Sequence, residues 1–200
     1  MRWLLLYLRS RRAPMALAMA GGCTALMWSL WMIFSDSRDA GPELVVLTVL
    51  LLVAALTTTL VSPDGALERT AALSWPLRRA AHLVTALLLV VALLAVTLVT
   101  PARFGPASLV ARDAAGLLGL TALGATVISP SRSWFVPLGW TLAAILFPRS
   151  EGTLGPVLTW QTQAPGSGAA VVTALLLGAG GLVAYTVAGP ARRATAEATG

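Results

Sequence analysis

The stretch GAAVVTALLLGAGGLVAYTVAG, residues 168–189, runs for 22 residues without a charged side chain. A helix rises about 1.5 Å per residue, so such a run reaches about 33 Å, enough to cross the roughly 30 Å hydrocarbon core of a bilayer. The apolar character is continuous. A barrel strand would alternate between lipid-facing and lumen-facing residues, so the run is predicted to be a helix. Pro165, Gly166 and Ser167 precede it, and Pro190, Arg192 and Arg193 follow, so polar and helix-breaking residues bound it on both sides.

Working outward, comparable runs occupy 13–34, 44–61, 80–100, 108–129 and 133–148. The predicted fold is therefore all-α: a polytopic membrane protein with six transmembrane helices in a single transmembrane domain over residues 1–200. The fifth run is short and carries Pro137, so it either crosses with little tilt or dips back without crossing. Composition agrees with a membrane protein. Hydrophobic residues make up 57% of the chain and charged residues 11%, whereas a soluble domain carries roughly 25% charged residues. The first run is too long for a cleaved signal peptide, has Gly21 and Gly22 mid-run, and lacks a small-residue cleavage site, so it is expected to remain as a helix.

Orientation follows from the arginines, which are the only basic side chains besides His82 because the sequence contains no lysine. With a cytoplasmic N-terminus, that side holds Arg2, Arg9, Arg11, Arg12, Arg69, Arg78, Arg79, Arg132, Arg192 and Arg193. The other side holds Arg38, Arg103, Arg112 and Arg149. Ten against four is the positive-inside bias, with both termini in the cytoplasm. The basic character thus reflects topology, and no basic stripe with interleaved aromatics marks a nucleic-acid partner.

The chemistry-bearing residues are few. Cys23 is the only cysteine, so the chain forms no internal disulfide or cysteine metal pair. His82, the only histidine, stands at the inner end of the third run, as an interfacial polar residue or, less simply, a proton relay. One histidine excludes an HExxH zinc site, and the topology puts Ser167 and His82 at opposite faces. Catalytic, cofactor-binding and metal residues are accordingly expected to be absent, and the chain is expected not to be an enzyme.

Arg112 and Asp113 form the sharpest intramembrane feature, because ionisable groups within a span are costly and often functional. Consecutive helix residues point about 100° apart, so the two are not expected to pair with each other. They either line a substrate path near the outer leaflet or stand in the headgroups before a helix that starts near Ala114. The second reading is preferred, since arginine readily snorkels to an interface. Small residues at four-residue spacing, Ala18 with Gly22, Ala115 with Gly119 and Gly180 with Ala184, permit close helix approach. Trp28, Trp31, Trp134, Trp140 and Trp160 lie near run ends and read as interfacial anchors.

Two cytoplasmic segments carry further signal. In residues 1–12, Arg2, Arg9 and Arg12 share one sector of a helical wheel and leave an apolar arc, as in an interfacial helix. A plain positive flank that only sets orientation is the alternative. In the loop 62–79, Ser62, Pro63 and Asp64 supply a cap, a first-position proline and a dipole-matching acid. A short helix over 63–75 is predicted, ending at about Ser74 and stopped by Pro76. It is a docking surface for a cytoplasmic partner or, alternatively, a solvated linker.

With these segments in place, the chain resembles the permease subunit of type-2 (ABC-2) ATP-binding-cassette exporters. That family has an N-terminal interfacial helix, six spans, a coupling helix between spans two and three, and an outer re-entrant region before the sixth. Its coupling loop reads roughly as an acid, then Gly-Thr-Leu-Glu, then a proline. Here Gly65, Ala66, Leu67 and Glu68 occupy that stretch and Pro76 follows; Ala66 replaces the threonine, Asp64 is the only preceding acid, and the proline falls about two residues late. The outer segment 149–167, interrupted by Pro156, Trp160 and Pro165, matches the re-entrant region.

The resemblance implies partners: cytoplasmic ABC ATPase subunits, a second permease subunit as homo- or heterodimer, and membrane lipid. Without a lysine the chain carries no P-loop of its own, so ATP and Mg would reside on the partner ATPase. Glu68 and Arg69 are the expected ATPase contact, in the motif opened by Gly65, with Leu67 and Leu73 packing beneath. The exported substrate is expected to be hydrophobic or amphipathic, since the spans hold few charges. Abundant alanine and arginine with no lysine point to a GC-rich, actinobacterial genome and a bacterial plasma membrane. The rival expectation is a non-transporting immunity, assembly or scaffold protein of the membrane.

Overall fold

The computed structural model describes residues 13–60, 75–146 and 154–191. Within them lie seven α-helices: α1 Ala13–Phe34, α2 Pro42–Thr57, α3 Trp75–Thr97, α4 Ala107–Val127, α5 Phe135–Leu146, α6 Leu154–Leu158 and α7 Gly168–Ala188. Single 3-10 turns occupy Pro130–Arg132 and Trp160–Thr162. The fold is all-α. The interfacial helix expected over 1–12 lies outside the described residues, as do Gly65, Leu67, Glu68, Arg69 and Leu73.

Among the described residues, four helices are long and apolar enough to cross a bilayer, at Pro14–Phe34, Trp75–Thr97, Ala107–Val127 and Gly168–Ala188. They make this a multi-pass membrane protein. α2, with 16 residues, and α5, with 12, reach about 24 and 18 Å at the helical rise, short of the hydrocarbon thickness.

Helix starts follow local chemistry. Gly41 caps α2 in an extended conformation, Pro42 takes its first position and Glu43 meets the positive end of the dipole. The Ser167 hydroxyl accepts the Ala170 N–H at the start of α7, and Gly189, at φ 73°, closes its end by donating to the Tyr185 carbonyl. α3 departs from expectation. It begins at Trp75 instead of near residue 80, so Pro76, expected to stop the preceding helix, lies in the first turn of α3. There its missing N–H would have had no intrahelical partner. Arg78 stands 5.7 Å from the centre of the Trp75 ring, a cation–π distance.

α4 is the core of the bundle. In its spanning window 72% of residues are buried, against 28% for α3 and α7 and 11% for α1. α7 packs on α4 more extensively than any other pair of elements, because both present glycine at the crossing. A Cβ on Gly119 would fall on the Leu177 carbonyl, and one on Gly181 on the Gly119 carbonyl. The seam expected from Ala115 and Gly119 is therefore used. The Gly180 and Ala184 pair is not its partner: Gly180 faces open space, and the face of α7 that meets α4 carries Gly178 and Gly181. Gly22, expected at a close approach with Ala18, also has open space beyond it.

Loop contacts tie the two ends of the bundle. At one end Arg103 donates its N–H to the Arg38 carbonyl at 2.7 Å, and its carbonyl accepts the Ala40 N–H at 2.8 Å. The Trp28 indole donates to the Thr100 hydroxyl at 2.9 Å beside them. At the other end the Tyr185 hydroxyl donates to the Leu60 carbonyl at 3.1 Å, and the Ala191 N–H to the Ala125 carbonyl at 2.7 Å.

Candidate functional site

Arg112 and Asp113 lie in the second turn of α4, which begins at Ala107 and not near Ala114. The preferred expectation that both stand in the headgroups ahead of the helix is thereby corrected. Both are inside it and buried, with side chains 4% and 0% exposed. The expectation that they do not pair is also corrected, since Arg112 Nε donates to Asp113 Oδ1 at 2.9 Å. The 100° between successive Cβ directions separates short side chains, but the arginine stem is long enough to bend its guanidinium back over the neighbouring carboxylate.

The rest of the guanidinium faces the segment after α6. Nη1 donates to the carbonyls of Gln163 at 3.0 Å and Ala164 at 3.1 Å, and Nη2 to that of Gln161 at 3.0 Å. These carbonyls converge because the chain turns there, and that of Ala164 also accepts the Ser167 N–H at 3.0 Å. The Thr162 N–H donates to Thr159 in a single 3-10 turn, and Pro165, lacking an N–H, adds no donor. The Gln163 side chain donates to the Thr159 hydroxyl at 2.9 Å and holds the turn. A planar fork of five donors suits this convergence of carbonyls; a lysine ammonium would not span it. Residues 161–164 are thus clamped onto α4.

Trp160 completes the dock. It was expected as an interfacial anchor, yet it is wholly buried. Its ring lies over Gly116, where a Cβ would collide with it, so a glycine one turn after Asp113 opens the seat for the indole. Trp31, near the end of α1, donates to the Ser37 carbonyl at 2.8 Å, Trp140, in the middle of α5, donates to the Leu158 carbonyl at 3.0 Å, and Trp134 stacks on Phe135 at 4.0 Å. Gln161, missed from the sequence, is fully buried too. Its signal was the string WQTQ at 160–163, two amides flanking a threonine beside a tryptophan.

Away from this cluster, His82 Nε2 lies 2.9 Å from the Thr59 hydroxyl, and Arg79 donates to the Thr186 carbonyl at 3.4 Å. Cys23 is a half-buried free thiol. Among the described residues no three histidine, cysteine, aspartate or glutamate side chains gather as metal ligands. An apolar groove of about 180 Å³ opens between α3, α4 and α7, lined by Leu83, Leu87, Leu118, Gly119, Gly178 and Leu182. A second apolar cavity, about 520 Å³, lies beside Trp140, Val157, Val172 and Leu176. The arrangement therefore combines two apolar cavities with one buried ion pair that holds the 160–164 turn against the central helix. No protein-family model, curated protein or solved structure matches this chain.

Proposed function

We propose that the chain is the permease subunit of a type-2 ABC exporter in a bacterial plasma membrane. Two such subunits, identical or different, would move a hydrophobic or amphipathic substrate outward with ATP hydrolysed by cytoplasmic partner ATPases. The observation that carries the reading is the order of elements around the Arg112 clamp. Two helices precede the stretch 61–74, two more follow, α5 packs on α4 and on the short α6, and the 3-10 turn after α6 is held to α4 before the last helix. A broken apolar segment between the fifth and last helices is what a re-entrant outer region requires.

Several further features favour it. The apolar groove between α3, α4 and α7 suits a lipid-like cargo. On this reading α2 and α5 complete six spans, both termini are cytoplasmic, and residues 63–75 are the coupling helix. Glu68 and Arg69 make the ATPase contact there, in the motif begun by Gly65, over Leu67 and Leu73. The chain has no enzymatic role of its own; ATP and Mg belong to the ATPase.

The test is gentle purification in detergent from native cells, with mass spectrometry of whatever soluble protein accompanies the chain. A P-loop ATPase should be recovered, and its binding should be lost when residues 64–75 are replaced. Recovery of membrane partners alone would overturn the proposal in favour of a non-transporting scaffold or immunity protein.

A further inference from the structure

Threonines within the helices satisfy their hydroxyls locally: Thr48, Thr121 and Thr173 each donate to the carbonyl four residues earlier. The dock of the 160–164 turn on α4 behaves differently. Five buried side-chain polar atoms lack a hydrogen-bond partner among the described residues, and four of them belong to Asp113, Trp160 and Gln161. All three residues are 0% exposed.

The residues that carry the four atoms are neighbours. One guanidinium holds both Asp113, through Nε, and the Gln161 carbonyl, through Nη2. Trp160 adjoins Gln161 and lies over Gly116, three residues after Asp113 on the same helix. Their chemistry is balanced. Asp113 Oδ2 and Gln161 Oε1 accept, while Trp160 Nε1 and Gln161 Nε2 donate. Charge is balanced as well, because Arg112 and Asp113 neutralise each other at 2.9 Å. A cation entering here meets the guanidinium, and an anion meets the free carboxylate oxygen. The complementary ligand is neutral, donates two hydrogen bonds and accepts two.

We propose that Asp113, Trp160 and Gln161 form an internal hydration site, in which ordered water bridges α4 to the 160–164 turn. A buried polar atom left unpaired costs about 1–3 kcal/mol, and a buried water typically makes about three bonds to such atoms. Water therefore completes the dock that the guanidinium begins. It also gives the segment a way to loosen, because bonds to a water exchange more easily than bonds to a fixed carbonyl.

X-ray hydroxyl-radical footprinting of the full chain in lipid nanodiscs, read by mass spectrometry, tests it, because radicals formed from a bound water attack the side chain beside it. Trp160 should be oxidised at a rate comparable to the half-buried Trp28 and Trp140, despite its complete burial. A Trp160 protected tenfold or more relative to those two overturns the proposal. Gln161→Met, similar in volume but without the two amide atoms, should lower Trp160 oxidation at least threefold while Trp28 stays unchanged. If the variant elutes as wild type and Trp160 oxidation does not fall, the proposal is overturned as well.

Discussion

Gly119 of α4 and Gly181 of α7 meet main chain to main chain: a Cβ on Gly181 would fall on the Gly119 carbonyl oxygen. In lipid there is no hydrophobic drive between helices, so close packing of small residues carries much of their association. Here it joins the central helix to the last one, and the buried faces of both depend on it.

Gly181→Ala should therefore lower stability by about 1–3 kcal/mol, the usual cost of overpacking a filled site. Gly180→Ala, one residue away with open space beyond it, should leave stability within about 0.5 kcal/mol of wild type. Unfolding in mixed micelles, followed by tryptophan fluorescence, measures both. Equal effects at the two positions would mean that α7 does not present the Gly178 and Gly181 face to α4.

That contrast also marks how far the sequence could be read. The apolar runs 13–34 and 168–189 coincide with α1 and α7 to within a residue, because span length and composition are local properties. Which glycine of a run meets a neighbour is not local. Gly178, Gly180 and Gly181 are equivalent in composition, and only the rotation of α7 against α4 separates them. Trp160 illustrates the same limit: an indole near a span end reads as an anchor until Gly116, 44 positions earlier in the sequence, is seen to seat it. Arg112 and Asp113 were legible as a special pair of residues, but not as partners, since the argument from Cβ directions ignores the reach of a long side chain.

The ion pair should behave as a unit. Arg112→Leu leaves a buried carboxylate without its partner, and Asp113→Leu leaves a buried guanidinium held only by carbonyls. Each single change is expected to destabilise by about 3–5 kcal/mol. The double replacement should cost less than the sum of the two, with a coupling of about 1–3 kcal/mol in a double-mutant cycle. Additive losses in mixed-micelle unfolding would show that the 2.9 Å contact contributes nothing of its own.

The proposed orientation is testable with two loop positions. Ser37 lies between α1 and α2 and Ser131 between α4 and α5, both exposed. In a Cys23→Ala background, which removes the only native thiol, Ser37→Cys should react with an impermeant maleimide added to whole cells. Ser131→Cys should react only after the cells are opened, because its neighbour Arg132 belongs to the arginine-rich side. Reversed labelling would invert the topology, and labelling of both from outside would remove the odd number of crossings between them.

Arg112→Lys isolates the clamp from the charge. Lysine keeps a cation near Asp113, but its compact ammonium has three donors and no planar fork, so it cannot serve Asp113 and the carbonyls of Gln161, Gln163 and Ala164 together. The carbonyls lose their common partner while α4 keeps its neutral pair. The consequence should be local: amide hydrogen exchange across residues 159–164 should accelerate by about tenfold, equivalent to about 1.4 kcal/mol of local opening. Peptides from the interior of α4 and α7 should keep their wild-type protection, since the Gly119 and Gly181 contact is untouched. Uniform loss of protection throughout the bundle would instead make the arginine a determinant of global stability, and unchanged exchange at 159–164 would mean that Trp160 in its seat over Gly116 holds the segment without the guanidinium.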